Sequence, residues 1–219
     1  MAASRHGQLH IYQHGDLALH GELYQPAVAA NGRAVLVVHE ADGIGGNVRR
    51  HCEKLAALGY VAMAADMHGE GKPLEGDAMQ QALERFRQQP DLVRGRVAAG
   101  WDALLEVTGI DAANSAAIGF CFGGYAALEL ARSGSPVAAV ASFHGLLATA
   151  KVAQPGEIHP RIAVFTGATD PLVPIEDVIA FQKEMSAAGA DWQMTSYGKA
   201  LHGAVSLRRT RLHRMQFDF

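Results

Sequence analysis

Residues 119 to 123 read Gly-Phe-Cys-Phe-Gly, and the cysteine at their centre is one of two in 219 residues. The run Ser-Ala-Ala-Ile-Gly-Phe before it is apolar and strand-like, while Phe-Gly-Gly-Tyr-Ala-Ala-Leu after it is helix-forming. A strand that turns abruptly into a helix, with glycine two positions either side of the turn residue, is the G-x-S-x-G nucleophile elbow with cysteine in place of serine. Crowding explains the glycines: the turn residue sits in strained backbone, and side chains at Gly119 and Gly123 would collide with the neighbouring strand and helix. Gly124 then lets the helix approach the sheet closely. Such a turn lifts the Cys121 thiol clear of the sheet and places it at a helix N-terminus, where the dipole favours thiolate over thiol. It also aims the Phe122 N–H at a developing oxyanion. The competing reading is a buried filler cysteine at one of the glycine-rich turns common in α/β folds, and the pentapeptide alone does not decide between them.

Partners for the thiol lie downstream. In α/β-hydrolases the order is nucleophile, acid, histidine, each on a loop after a strand. Asp170 follows the apolar run 162–167 in Ala-Thr-Asp-Pro-Leu, and His202 follows the run 192–197 in Gly-Lys-Ala-Leu-His-Gly. Alone, Asp170 reads as a turn or cap carboxylate and His202 as one of eleven histidines. In this order, after these strands, the two read with Cys121 as a nucleophile, base and orienting acid. Asp66 also follows a strand but precedes the cysteine, which makes it a structural turn residue.

The elements that must position these residues alternate along the chain. Short β-rich runs at 9–12, 17–24, 34–39, 61–66, 115–120, 137–143, 162–167 and 192–197 predict strands, and helices are predicted over 47–58, 76–88, 91–108, 122–133 and 175–188. This pattern specifies an α/β fold with a mostly parallel sheet and helices on both faces, expected as a single domain over residues 1–219. The first two strands, joined at Gln-His-Gly-Asp, should form an antiparallel hairpin at one edge. Ile175, Val178, Ile179, Gln182 and Met185 share one helix face. Pro90 and Asp91 separate two helices, with Asp91 as the cap of the second. The longest loop runs from 144 to 160.

Bulk composition narrows the function. With 49% hydrophobic residues the chain can build a substantial core, and a net charge of −3 provides no basic field for nucleic acid. Two cysteines without metal-ligand spacing exclude a disulfide framework and a zinc site. The absence of a signal-like segment or a long apolar run predicts a cytoplasmic, soluble protein acting on a small molecule, with no nucleic acid or membrane partner; the oligomeric state is left open, with a monomer favoured. The Gly-rich run after Asp42 carries no Walker lysine, so no nucleotide site is expected.

The stretches VVHEADGIGGNVRRHCEKLAALGYVAMAADMHGEGK, IGFCFGGYAA, ASFHG, FTGATDPLVP and YGKALHG resemble the dienelactone hydrolase family, a cysteine branch of the α/β-hydrolases, over about residues 34 to 203. The resemblance implies the α/β-hydrolase fold, with Cys121 as nucleophile, His202 as acid/base and Asp170 as its orienting carboxylate. It adds Glu40, which would hold the resting thiol neutral and accept its proton when substrate arrives. Electrostatics agree, because a carboxylate beside a thiol opposes ionisation unless it takes the proton itself. The competing reading makes Glu40 a loop carboxylate bonded to backbone N–H groups. Ala41 would supply the second oxyanion-hole N–H beside that of Phe122.

The reaction so implied is hydrolysis of an ester or lactone through a thioester on Cys121, of the carboxymethylenebutenolidase type, with no metal or organic cofactor. His144 follows the strand after the nucleophile helix, which offers it a place lining the pocket, but it reads as structural, hydrogen-bonded to backbone; His39, His51 and His68 receive no role, and Cys52 reads as core or half-buried. The end of the chain departs from the family pattern. Ala-Val-Ser-Leu-Arg-Arg-Thr-Arg-Leu-His-Arg-Met-Gln-Phe-Asp-Phe is shorter than the usual closing helix and carries Arg208, Arg209, Arg211 and Arg214. The family's substrate-carboxylate arginines therefore have no firm counterpart, with Arg208 and either Arg85 or Arg87 nearest in position. Two other readings compete. A cysteine amidotransferase places its acid two residues after the histidine, where Ala204 stands here. A catalytically impaired scaffold protein of the same fold would not need Cys121, Asp170 and His202 together.

Overall fold

The computed structural model describes residues 7–203, and the arginine-rich segment beyond lies outside the described residues. Eight strands form: β1 (Gln8–His14), β2 (Leu17–Tyr24), β3 (Ala34–Val38), β4 (Val61–Ala65), β5 (Ser115–Phe120), β6 (Ala139–Phe143), β7 (Arg161–Gly167) and β8 (Trp192–Tyr197). They make one sheet in the order β1-β2-β4-β3-β5-β6-β7-β8. Strands β3 to β8 run parallel, β1 and β2 form the expected antiparallel hairpin, and β2 joins β4 antiparallel. The hairpin turns on Gly15 and Asp16 alone, with Gly15 at a φ of 60° that a side chain would resist.

Five helices cover the sheet: α1 (Gly46–Ala57), α2 (Gly76–Gln88), α3 (Pro90–Thr108), α4 (Phe122–Arg132) and α5 (Ile175–Ala188). Phe86, Val97, Leu104, Ala127 and Phe181 of α2 to α5 share one apolar cluster with Leu36, Val38 and Val164 of the sheet. Val48, Cys52 and Ala56 of α1 pack on Val35, Val37, Ala62 and Phe120 from the opposite face. Covered on both sides, β3 and β4 are buried along their whole length, which is why they read as continuous apolar runs rather than alternating ones. No helix among the described residues is long and apolar enough to cross a membrane.

One helix start differs from expectation. Helix α3 begins at Pro90 with Gln89 as its cap, and Asp91 lies inside its first turn. Proline has no N–H to leave unsatisfied and its φ is already helical, so the helix starts on it. Asp91 instead meets Lys151 at 2.7 Å.

Two buried polar arrangements fix the loops. Asp66 accepts N–H groups of His20, His68, Gly69 and Gly71 at 2.8–3.0 Å, the structural turn role expected of it. Burial alone would raise its pKa, but these donors outweigh burial and hold the carboxyl below the usual range. The second arrangement holds the loop from 144 to 160. Glu129 pairs with Arg94 at 2.7 Å and Arg132 at 2.9 Å, and Arg132 reaches Glu184 at 2.7 Å. Leu147 and Lys151 lend their carbonyls to the two arginines, and the Ala153 N–H donates to Glu184. Two cations and two anions balance inside the protein, and the loop is tied to α3, α4 and α5 through them.

Candidate active site

Cys121 sits between β5 and α4 at φ 53° and ψ −119°, in backbone that side-chain-bearing residues rarely adopt. The surroundings impose it. The Cys121 N–H donates to the Phe143 carbonyl at 3.0 Å, and the Cys121 carbonyl accepts the N–H groups of Gly124 and Tyr125 at 3.0 and 3.3 Å. A Cβ on Gly119 would lie 2.0 Å from the Gly123 carbonyl oxygen, and one on Gly123 would lie 2.2 Å from that of Val38. Both flanking glycines are therefore required by space.

The structure brings the two downstream residues to the thiol. His202 Nε2 lies 3.3 Å from Cys121 Sγ, and His202 Nδ1 lies 2.8 Å from Asp170 Oδ2. The Asp170 side chain is fully buried, and its other oxygen accepts the Leu172 N–H at 2.9 Å. This leaves the carboxylate one orientation, toward the imidazole. The acid and histidine loops are bound to each other: Thr169 donates through both its N–H and its hydroxyl to the Ala200 carbonyl, and a Cβ on Gly167 would meet that same oxygen at 2.2 Å. His202 keeps 26% of its side chain exposed, so one edge of the group is open to incoming molecules.

The thiol's ionisation runs against the expectation from the helix dipole. Burial pushes the Cys121 pKa up, and the charges of Glu40, Asp170 and Asp42 push in the same direction, while the Phe122 N–H pulls it down. Burial and carboxylates outweigh the N–H, and the balance favours thiol over thiolate. Glu40 stands two residues after the end of β3 and is half-buried. Ala41 follows it in a loop whose entry abuts the elbow, since a Cβ on Gly123 would also lie 2.6 Å from the His39 carbonyl oxygen.

His39 and His68 hold places that the sequence reading did not give them, and His144 takes the lining position that was its alternative. His144, expected to hydrogen-bond to backbone through its ring, has its ring edge-on to His202 at 4.9 Å, and its buried Nδ1 has no partner among the described residues. Its backbone N–H, not the ring, makes the bond, to Phe165 at 2.8 Å. Burial and the neighbouring His202 lower its pKa to about 4, which keeps this wall of the site neutral. His39 and His68 lie behind the elbow, their rings 6.0 and 6.2 Å from that of Phe122. The useful signal was strand register: β5 and β6 pair so that Phe120 faces Phe143, which puts the next residues, Cys121 and His144, at the same sheet edge. Cys52 is completely buried in α1, as expected of a core residue. Arg85 and Arg87 are exposed on α2, and Arg87 faces Glu84 at 3.5 Å. Among the described residues no group of three or more His, Cys, Asp or Glu side chains could hold a metal ion.

The family model described as the dienelactone hydrolase family matches residues 19–212. The chain belongs to the dienelactone hydrolase family. Within it, the chain is 24% identical over 202 residues to a candidate carboxymethylenebutenolidase of Synechocystis sp., covering 86% of this chain and 82% of that protein. A solved structure named m3DLH is 36% identical with a TM-score of 0.83, covering 90% of this chain and 82% of the other. A dienelactone hydrolase-like promiscuous phosphotriesterase from metagenomic libraries is 32% identical with a TM-score of 0.81 over the same shares. The fold is accordingly that of this hydrolase family, an α/β-hydrolase sheet with an antiparallel start. Every residue that the dienelactone hydrolase resemblance assigned lies on the C-terminal edge of the parallel strands or in the loops leaving it, the edge where open α/β sheets bind their ligands.

Proposed function

We propose that this dienelactone hydrolase family member cleaves an ester or lactone of a small molecule through a thioester on Cys121. The observation that carries the reading is the line of contacts Cys121 Sγ, His202 Nε2, His202 Nδ1, Asp170 Oδ2 at 3.3 and 2.8 Å, met at a strained elbow. Glu40 accepts the thiol proton when substrate arrives. The sulfur attacks the carbonyl carbon, and the N–H groups of Ala41 and Phe122 receive the oxyanion; losing one such donor costs about 3 kcal/mol in comparable sites. The proton, relayed by His202, ends on the leaving oxygen as its C–O bond breaks. His202 then takes a proton from water, the hydroxide adds to the thioester, and collapse returns the thiol and releases the acid. Asp170 fixes the imidazole tautomer throughout.

A thiol nucleophile suits substrates with a good leaving group, such as the enol released by opening an enol lactone, and makes ordinary amides poor substrates. The test is mixing the protein with an activated aryl ester. A burst of phenol equal to the enzyme concentration, with an acyl mass increment on Cys121, is expected. No burst and no increment would favour the impaired scaffold reading.

A further inference from the structure

Behind the elbow, two buried imidazoles tie the loop after β3 to the loop after β4. His39 is wholly buried, and its Nε2 accepts the Met67 N–H at 3.0 Å. An imidazole nitrogen that accepts carries no proton, so the single ring proton is on Nδ1. Nδ1 lies 2.5 Å from the carbonyl oxygen of Glu40 and therefore donates to it. The same carbonyl accepts the Gly43 N–H at 3.3 Å. One residue further on, His68 Nε2 lies 2.8 Å from the Ala41 carbonyl oxygen and donates there. Both carbonyls flanking Ala41 are thus held by rings from beneath.

A trans peptide is planar and sets its C=O and N–H in opposite directions. Holding the Glu40 carbonyl against His39 therefore turns the Ala41 N–H away from that ring. Rotation of this one peptide would put an acceptor where the oxyanion needs a donor. The second donor residue rests on the same pair, because the Phe122 ring packs against both imidazoles and against Phe86. We infer that His39 is a positioning residue for transition-state stabilisation, fixing the Ala41 N–H by clamping the Glu40 carbonyl, with His68 as its support. The inference rests on the esterase reading proposed above. Burial and the adjacent His68 ring lower the His39 pKa to about 4, so the clamp keeps its neutral, one-proton form through the neutral range.

The test separates oxyanion stabilisation from thiol reactivity. His39→Asn retains a donor near the Nδ1 position, His39→Gln retains an acceptor near the Nε2 position, and His39→Leu retains neither. Each full-length variant is assayed for single-turnover acylation by an activated aryl ester, for affinity toward an aryl trifluoromethyl ketone that forms a tetrahedral adduct, and for alkylation of Cys121 by iodoacetamide, which generates no oxyanion. The Gln and Leu variants should acylate roughly 100- to 1,000-fold more slowly, with parallel loss of ketone affinity and little change in the half-saturating ester concentration. Alkylation should stay near wild type, and the Asn variant should recover much of the acylation rate. Wild-type acylation in a folded Gln or Leu variant, or acylation and alkylation falling together, would overturn the inference. A wild-type protein that forms no adduct on Cys121 would instead bring down the esterase reading, and this inference with it.

Discussion

The two cysteines set two regions side by side: helix α1, with Cys52 in its packed face, and the elbow between β5 and α4, with Cys121. Burial raises the pKa of both thiols. Cys52 has no exposed surface, packs among Val35, Val48 and Ala56, and sits in ordinary helix. Cys121 keeps some exposure, stands in strained backbone, and has an imidazole within 3.3 Å. Residue type and a raised thiol pKa therefore do not set the two cysteines apart, although their exposure differs. Backbone geometry and an imidazole within reach do so more sharply.

The largest effect should come from Cys121→Ala, which is expected to lower ester hydrolysis by at least roughly 10⁴-fold while leaving the thermal transition near that of wild type. Steady-state rates on an activated ester, read beside a melting curve, check both halves. Full activity in that variant would erase the contrast with Cys52.

A smaller change sharpens the cause of the elbow's behaviour. Removing the negative charge of Glu40 by Glu40→Gln withdraws one of the influences that hold the Cys121 proton on sulfur. The thiol pKa should fall, so the iodoacetamide rate profile should move to lower pH. An unmoved profile would assign the raised pKa to burial and the other carboxylates alone.

The smallest effect belongs to Cys52→Ala, expected to cost about 1–2 kcal/mol of stability through the space it leaves and to spare hydrolysis. The pH dependence carries the sign. The Cys52 thiol pKa is higher folded than unfolded, so its contribution is complete below the ordinary thiol range and is lost as pH rises above it. Denaturant unfolding across that range should show wild-type stability falling with pH and a shallower fall in the alanine variant.

Much of this arrangement could be read in the sequence. The eight strands and five helices of the described residues announce themselves through apolar runs, glycine and proline punctuation, and periodicity, and the order of Cys121, Asp170 and His202 points to the candidate site because each follows a strand end. What escaped the sequence depends on three-dimensional neighbours. The helix dipole at Cys121 is visible in one dimension, but the burial and carboxylates that overrule it are not. His39 meets Met67, 28 residues away, only because β3 and β4 lie side by side in the sheet. His144 lacks the backbone bond expected of its ring and stands edge-on to His202, a contact that strand order creates.

The buried set Arg94, Glu129, Arg132 and Glu184 has a consequence for descent. Removing any one member strands an uncompensated charge in the interior at about 3–5 kcal/mol, whereas exchanging the whole set for well-packed apolar side chains is often neutral or better. Single-step substitution thus meets a barrier that joint replacement avoids. Such a set works as a ratchet against stepwise change, and the loop from 144 to 160, held by it at Leu147, Lys151 and Ala153, inherits that constraint.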